Sequence, residues 1–246
     1  MKQNISVIIP AYNEEKRIGR SLAHIKDYLQ NKCANFEIIV VDDGSKDQTA
    51  ETARSFGCRV LTNSSNRGKG YSVKRGMLAA QKDIVLFSDA DLSTPIEELG
   101  KFLPALENHD FLIASRNIKE ALRVEDQGWL RKIMGKIFNL IVRFVAGCDV
   151  ADSQCGFKVF KRSVAKALFS RQTFDGFAFD VEILHIASQL GFSFREIPVC
   201  WQNDRQSKVK PFRDSIRMFR DVVRIRMNSL KGLYNIPTIE TNKVGV

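Results

Sequence analysis

Short apolar runs rich in β-branched residues alternate with amphipathic segments along the first half of this 246-residue chain. The apolar runs predict strands at residues 5–10, 37–41, 59–62, 83–87 and 111–115. Helical periodicity predicts helices between them, at residues 14–30, 47–56, 70–81 and 95–106. Because crossover helices join parallel strands and cover both faces of their sheet, the pattern indicates an α/β fold with a mostly parallel central sheet.

The second half of the chain has longer helical segments. Its periodicity predicts a strand at 192–198 and helices at 129–145, 179–189 and 212–230. No Gly-, Ser- or Pro-rich linker separates the halves, so residues 1–235 are expected to form one domain with halves at 1–115 and 116–235. Residues 236–246 lack periodicity and are expected to form a loose C-terminal tail.

The positive charge of the chain is confined to its second half. The chain carries 38 Lys and Arg against 28 Asp and Glu, a net charge of +10. Residues 1–115 contain 15 basic and 15 acidic side chains, whereas residues 116–246 contain 23 basic and 13 acidic ones. A neutral small-molecule partner does not require this division. The second half is therefore expected to contact an anion: a nucleic acid, a membrane surface or a phosphorylated substrate.

The sequence argues against a membrane span and a secretory signal. Its longest stretch without a charged residue, residues 183–194, has 12 residues, whereas a spanning helix needs about 20 apolar residues. The first residues lack the pattern of a signal peptide. Five cysteines without a C-x-x-C pair indicate reduced thiols and hence a cytoplasmic protein.

Carboxylates directly follow two of the predicted strands. Asp42 and Asp43 follow the second strand, and Asp89 and Asp91 flank Ala90 after the fourth. Ligands of open parallel sheets bind at the carboxyl ends of the strands. Two carboxylates with this spacing can share Mg²⁺ or Mn²⁺, whose other ligands are commonly phosphate oxygens. The pattern predicts a nucleoside diphosphate site, although an isolated Asp-x-Asp is more often an N-cap with a solvated neighbour.

A basic, glycine-rich segment at residues 66–70 precedes the third predicted helix. Backbone amides at the start of a helix, with Arg67 and Lys69 beside them, suit a diphosphate. The chain contains neither G-x-G-x-x-G nor G-x-x-x-x-G-K-[ST], so a Rossmann dinucleotide site and a P-loop are not expected.

The predicted helix at 212–230 combines an apolar stripe with a basic one. Its apolar residues recur every three or four positions, at Phe212, Ile216, Phe219, Val223, Met227 and Leu230. Arginines recur beside them, at Arg213, Arg217, Arg220 and Arg224. This helix and the similar one at 129–145 are expected to lie on an anionic membrane surface. A core-packing helix with a solvated charged face is the alternative. Nucleic acid is not expected, because no cluster of stacking aromatic residues accompanies the stripe.

Three motifs of the first half together resemble family 2 of the inverting glycosyltransferases: VIIPAYNE at 7–14, VDDGS at 41–45 and DAD at 89–91. Later segments resemble its polyprenyl- or dolichyl-phosphate β-glucosyltransferase branch, which is related to the dolichyl-phosphate mannosyltransferases. These are DSQCGFK at 152–158, FDVE at 179–182, EIPV at 196–199 with Trp201, and SKV at 207–209. The resemblance spans about residues 4–231 and implies the A-type fold of nucleotide-diphospho-sugar transferases.

The resemblance also implies roles for individual residues. The nucleotide would be contacted by Pro10, Tyr12, Glu14, Asp42, Asp43, Arg67 and Lys69. The catalytic set would be Asp89 and Asp91, which would hold Mg²⁺ or Mn²⁺, with Arg116, Gln154 and Asp180. Asp180 would act either as a base or as an anchor for a sugar hydroxyl. The acceptor phosphate would be bound by Arg116, Arg131, Arg205, Ser207 and Lys208. Gly135 stands where the family often has Ser, which removes one expected hydrogen bond to that phosphate.

The implied activity is the transfer of glucose from UDP-glucose to a polyprenyl phosphate with inversion. The departing nucleoside diphosphate needs a cation, and the lipid phosphate, already anionic, needs orientation by arginines more than a base. The protein is expected to bind peripherally to the cytoplasmic face of a membrane. The alternatives are GDP-mannose or another nucleotide sugar, a saccharide acceptor, or, outside enzymes, a basic module that binds membranes or nucleic acid.

Overall fold

A computed structural model gives the structure of residues 3–118, 121–123, 147, 150–202 and 211–235. For residues 122, 123 and 211–219 it describes the backbone alone. Several predicted features lie outside the described residues: the helix at 129–145, the tail at 236–246, and Arg131, Arg205, Ser207 and Lys208.

The described strands form one large sheet and one short pair. Their bounds are β1 Asn4–Ala11, β2 Asn35–Asp42, β3 Arg59–Thr62, β4 Ile84–Ser88, β5 Phe111–Ser115, β6 Leu122–Arg123, β7 Phe157–Lys161, β8 Phe194–Pro198 and β9 Cys200–Trp201. Seven form a sheet in the order β3–β2–β1–β4–β7–β5–β8, and β6 pairs with β9. In that sheet β7 runs antiparallel to β4 and β5, and the other described pairs are parallel. The predicted α/β fold with a mostly parallel sheet is confirmed.

Helices cover both faces of the sheet. Their bounds are α1 Glu15–Lys32, α2 Thr49–Ser55, α3 Lys69–Ala79, α4 Leu99–Ala105, α5 Arg162–Arg171, α6 Phe179–Gln189 and α7 Pro211–Leu230, with 3₁₀ turns at Ile96–Glu98 and Leu106–Asn108. Successive residues of a strand point to opposite faces. In β1, Ile8 accordingly packs in a core with α3, α5 and α6, and Val7 and Ile9 pack in a second core with α1 and α4. Among the described helices, none is long and apolar enough to cross a membrane.

The sequence pattern does not predict β7 and α5. Strand Phe157–Lys161 has a buried lysine, Lys158, among apolar residues and a second lysine at its end, and α5 begins at the next residue, Arg162. Without a turn residue between them, the two periodicities merge. The strand that separates β4 from β5 is therefore visible only in the structure.

Helix α7 has two apolar faces in its C-terminal half. Val222 and Ile225 are fully buried in the core, whereas Val223, Met227 and Leu230 are 41%, 49% and 77% exposed. The three exposed residues belong to the predicted apolar stripe. The alternative prediction, that this stripe packs in the core, is therefore wrong for these three residues. Among the helix side chains that the structure describes, those of residues 220–230, the core contacts are made by Val222 and Ile225, which the stripe does not include.

Gly76 provides the space in which α3 packs on β1. A Cβ atom there would lie 2.3 Å from Cγ2 of Ile8 and 3.0 Å from Cγ2 of Val41. We expect Gly76→Ala to lower the free energy of unfolding by about 1–3 kcal/mol through overpacking, despite the higher helix propensity of Ala. Urea unfolding followed by circular dichroism measures this change. The control is Gly100→Ala in α4, whose Cβ would approach nothing closer than 3.7 Å. Equal destabilisation by both changes would contradict the packing argument.

Candidate active site at the carboxyl edge of the sheet

Most of the predicted polar residues meet at one edge of the sheet. β2, β1 and β4 are parallel neighbours, so Asp42 and Asp89 lie at nearby strand ends. β7 runs the opposite way, and its first residue, Phe157, pairs with Ser88, the last residue of β4. The segment before β7, which includes the half-buried Gln154, therefore lies at the same edge.

The turn after β1 is clamped to the turn after β2. Asn13 adopts a left-handed backbone conformation, with φ of 53°. Its N–H donates to Oγ of Ser45 at 2.9 Å, and the N–H of Lys46 donates to its Oδ1 at 2.8 Å. The N–H of Ser45 in turn donates to Oδ1 of the buried Asp42 at 3.2 Å. These bonds fix the two turns relative to each other, and both turns contain residues that are predicted to contact the nucleotide.

Glu14 directly follows Asn13 in the turn after β1 and stands at the start of α1. Its N–H donates to Oγ1 of Thr49 at 2.8 Å, and its carboxylate accepts from Nη2 of Arg17 at 2.9 Å. Pro10 and Tyr12 are half-buried in the same stretch of chain. Glu14 thus carries a paired charge at the predicted nucleotide site.

Asp43 supports the segment 66–70, which we call the basic glycine loop. Its buried carboxylate accepts from Nδ2 of Asn63 at 2.7 Å, from the N–H of Arg67 at 3.0 Å and from the N–H of Gly68 at 2.8 Å. Gly68 has a φ of 109°, a backbone conformation that residues other than glycine rarely adopt. The structure therefore gives Asp43 a loop-supporting role that the sequence pattern does not reveal.

Asp89 lies between a lysine and a glycine. Nζ of Lys69, the first residue of α3, is 2.7 Å from Oδ1 of Asp89. A Cβ atom at Gly156 would lie 1.9 Å from Oδ2 of Asp89, so a larger residue there would displace the carboxylate of Asp89. Burial alone would lower the pKa of Lys69, but Asp89, Asp180 and Asp91 outweigh it and raise the pKa. Lys69 is therefore a permanent cation at the candidate donor site.

Asp91 ends the turn that begins at Asp89. Its Oδ1 accepts from the N–H of Ser93 at 2.9 Å, and Leu92 has a φ of 50°. Burial, and next the nearby Asp89, raise the pKa of Asp91. Such mutual repulsion favours a cation between the two carboxylates, whose hard oxygens suit Mg²⁺ or Mn²⁺. In the described part of the chain no group of three acidic, His or Cys residues could hold a metal.

Lys158 is a buried residue beside Asp180 to which the sequence analysis assigns no role. Its buried Nζ donates to Oδ1 of Asp180 at 2.5 Å and to the carbonyl of Cys155 at 2.7 Å. Burial raises the pKa of Asp180, and Lys158 and Lys69 partly offset that effect. Burial also raises the pKa of the Cys155 thiol to about 11, which argues against a nucleophile. Because a buried lysine is almost always paired, a lysine within an apolar strand could have predicted a buried ion pair from the sequence.

Arg116, directly after β5, forms a two-pronged ion pair with Asp152. Its Nε donates to Oδ2 at 2.7 Å and its Nη2 to Oδ1 at 2.9 Å. Glu196 in β8 holds this partner in place, because its carboxylate accepts from the N–H groups of Ala151 at 2.8 Å and of Asp152 at 2.9 Å. The guanidinium also lies 5.4 Å from the centre of the Trp201 ring. Its orientation is therefore set before any ligand binds.

The pair changes the pKa of both groups. Burial alone would raise the pKa of Asp152, but Arg116 outweighs it and lowers the pKa. Burial alone would lower the pKa of Arg116, and Asp152 raises it instead. Above the ordinary pKa of a carboxyl group this pair stabilises the fold, and its contribution falls as the pH falls through the lowered pKa of Asp152.

We expect Arg116→Met to lower the free energy of unfolding by about 3 kcal/mol at pH 7, because it leaves Asp152 charged and buried. In the variant, burial would raise the pKa of Asp152 above its unfolded value. Protonation of Asp152 would then remove the cost of its buried, unpaired charge. The difference in the free energy of unfolding between the wild type and the variant should therefore shrink as the pH falls. Urea unfolding at pH 7 and pH 4.5 measures the deficit. Arg54→Met, which removes an exposed ion pair with Glu51, is the control. A deficit independent of pH would contradict this account.

Comparison with known proteins identifies relatives over most of the chain. The model of the family described as Glycosyl transferase family 2 matches residues 6–169. The dolichyl-phosphate beta-glucosyltransferase of Dictyostelium discoideum is 35% identical over 94% of this chain and 76% of its own length. The human enzyme of the same name is 34% identical over 95% of this chain and 78% of its own length.

Solved structures share the fold. Mannosyl-3-phosphoglycerate synthase from Rubrobacter xylanophilus has a TM-score of 0.69 at 22% identity, over 99% of this chain and 79% of its own. Glucosyl-3-phosphoglycerate synthase from Mycobacterium tuberculosis, in complex with Mn²⁺, UDP-glucose and phosphoglyceric acid, has a TM-score of 0.66 at 22% identity, over 96% of this chain and 81% of its own. The expected A-type fold is thus confirmed, and the chain belongs to glycosyl transferase family 2.

Proposed function

We propose that this protein transfers glucose from UDP-glucose to a polyprenyl phosphate of the dolichyl type, with inversion, to give a lipid-linked β-glucosyl phosphate. The observation that carries the proposal is the meeting of an acidic pair, Asp89 and Asp91, with the preset Arg116 at one sheet edge. Relatives about a third identical over more than nine-tenths of the chain, named dolichyl-phosphate beta-glucosyltransferases, support glucose as the sugar and a dolichyl phosphate as the acceptor.

The donor would lie along the acidic part of this edge. Asp89 and Asp91 would hold Mg²⁺ or Mn²⁺, which neutralises charge that develops on the departing diphosphate. Lys69 would add a fixed positive charge beside Asp89, where the diphosphate would lie. The mycobacterial glucosyl-3-phosphoglycerate synthase, which shares the fold, was solved in complex with Mn²⁺ and UDP-glucose, which supports a divalent cation and a UDP-sugar donor.

The acceptor would enter from the arginine side. A lipid phosphate is anionic near neutral pH, so one of its oxygens can attack the anomeric carbon without a general base. The bond from that carbon to the diphosphate oxygen breaks, and UDP leaves with both electrons. Arg116, with Arg131, Arg205, Ser207 and Lys208, would orient the acceptor phosphate.

Asp180 fits an anchoring role better than that of a base. Its carboxylate is buried and paired with Lys158, and the acceptor has no proton that must be removed. A carboxylate held in this way can accept a hydrogen bond from a sugar hydroxyl in a fixed direction. Gln154, at the same edge, would face the sugar and the acceptor.

The donor assignment is tested with a panel of radiolabelled UDP- and GDP-sugars, scored as label moved into lipid extract with Mg²⁺ or Mn²⁺. We expect transfer from UDP-glucose, and we expect Asp91→Ala to reduce it at least about 100-fold through loss of charge stabilisation. Glu107→Ala, an exposed acidic change before β5, is the control and should retain full activity. Transfer from GDP-mannose alone would replace the proposed donor. Full activity of the Asp91 variant would exclude its role, and no transfer from any nucleotide sugar would favour a binding module.

We also propose that the outward face of α7 binds an anionic membrane surface. This face exposes Val223, Met227 and Leu230, and Leu233 beyond the helix is 47% exposed. Exposed arginines accompany these side chains, at Arg220, Arg224 and Arg226. Apolar residues flanked by cations suit the boundary between acyl chains and anionic headgroups. Peripheral attachment there would bring the site to its lipid substrate.

Sedimentation with vesicles that contain phosphatidylglycerol tests this surface. We expect Met227→Glu to weaken binding at least about tenfold, because it removes an apolar contact and adds repulsion. Leu78→Glu changes an apolar side chain of similar exposure, 38%, in α3 and should bind like the wild type. Added salt should weaken wild-type binding. Equal binding of the two variants, or binding of DNA or RNA instead of vesicles, would exclude this surface.

A further inference from the structure

The segment at residues 172–178, between α5 and α6, packs against the basic glycine loop, and we call it the bridge segment. A Cβ atom at Gly68 would lie 2.6 Å from the carbonyl oxygen of Asp175. A Cβ atom at Gly70 would lie 2.7 Å from the carbonyl oxygen of Gly176. The loop and the bridge segment therefore touch backbone to backbone, and one cannot shift without the other.

Polar contacts join the same two segments. Nη2 of Arg67 donates to Oδ2 of Asp175 at 3.1 Å, and the N–H of Tyr71 donates to the carbonyl of Asp175 at 3.1 Å. Nε2 of Gln172 donates to the carbonyl of Gly70 at 2.9 Å. The position of the loop thus depends on the position of the bridge segment.

Glu182, in α6, fixes the bridge segment. Its side chain is fully buried. Oε1 accepts from the N–H of Thr173 at 2.9 Å and from its hydroxyl at 2.6 Å, and Oε2 accepts from the N–H of Phe174 at 2.9 Å. Burial raises the pKa of Glu182, and these donors partly offset that effect. Because two consecutive residues, Thr173 and Phe174, donate to one buried carboxylate, these bonds fix the position of the backbone at both residues.

The same carboxylate also reaches the end of α7. The hydroxyl of Tyr234 donates to Oε1 of Glu182 at 3.0 Å, and Nδ2 of Asn228 lies 3.4 Å from Oγ1 of Thr173. Glu182 belongs to the FDVE motif, and the functions assigned above to that motif use only Asp180. Its contacts give this glutamate a separate task.

We propose that Glu182 is a positioning residue for donor binding, which holds the bridge segment and thereby sets the basic glycine loop against the nucleoside diphosphate. Glu182 does not touch the nucleotide in this arrangement and acts through residues 173–176. The ligand is the UDP of the proposed function, on which this role rests.

The test compares Glu182→Gln with the wild type. A glutamine that keeps its oxygen toward Thr173 turns its amide toward the N–H of Phe174, which then lacks an acceptor. We expect the Kd for UDP, measured calorimetrically with Mn²⁺, and the KM for UDP-glucose to rise about tenfold, with kcat changed less than about threefold. In the ligand-free protein, hydrogen exchange at the Tyr71 amide should accelerate about tenfold.

Glu37→Gln is the matched control. Glu37 accepts from Oγ of Ser6 at 2.6 Å and from the N–H of Gln81 at 2.7 Å, at the opposite edge of the sheet. Its replacement should lower the Tm without changing UDP binding or exchange at Tyr71. If Glu182→Gln likewise lowers only the Tm, Glu182 merely stabilises the fold and the proposal is overturned.

Two further outcomes remain decisive. If the wild type binds no UDP, the proposed donor is wrong, and hydrogen exchange at Tyr71 still decides whether Glu182 positions the loop. If Glu182→Gln does not fold, Thr173→Val removes the hydroxyl bond to Glu182 and keeps the backbone bonds. This variant should raise the Kd for UDP about threefold, and unchanged binding and exchange would overturn the role of Glu182.

Discussion

The antiparallel insertion of β7 between β4 and β5 is the constraint on which the candidate site depends. In a purely parallel sheet, the amino ends of all strands lie away from the ligand edge. Because β7 is reversed, its amino end pairs with the carboxyl end of β4, through Phe157 and Ser88. The segment before it then reaches the edge, where Gly156 leaves room for Asp89. One reversed strand thus brings a segment of the second half of the chain to the edge where the first half places its carboxylates.

Ion pairs set the geometry of this edge. Lys69 pairs with Asp89, Lys158 with Asp180 and Arg116 with Asp152. Where such a pair is buried, as between Lys158 and Asp180, desolvation offsets much of its Coulomb energy. The value of the three pairs lies in orientation, because each charged group is held before a substrate arrives and needs no rearrangement during transfer. The glycines of the basic loop serve the same end, since they let two backbones meet without intervening side chains.

Much of the fold follows from periodicity alone. Apolar runs locate the parallel strands, and the helix at Phe179–Gln189 has the predicted bounds. Residues at strand ends, such as Asp89, could be predicted because parallel strands share a ligand edge. β7 could not, because Lys158 interrupts its apolar run and its partner Asp180 is distant in the chain. The apolar stripe of α7 could be predicted from its spacing. Which apolar side chains face the core could not, because the buried Val222 and Ile225 are as apolar as the exposed Val223.

The class of fold, the family, the charged residues at the strand ends and the division of charge between the two halves all follow from the amino-acid sequence alone. These depend on local periodicity and on the identity of neighbouring residues, which a chain carries before it folds. The pairing of the charges, the support of a loop by Asp43 and the bonds from Thr173 and Tyr234 to Glu182 are visible in the folded protein alone. These contacts join residues in different elements of the fold, and their partners are selected by packing and burial, which no local pattern records.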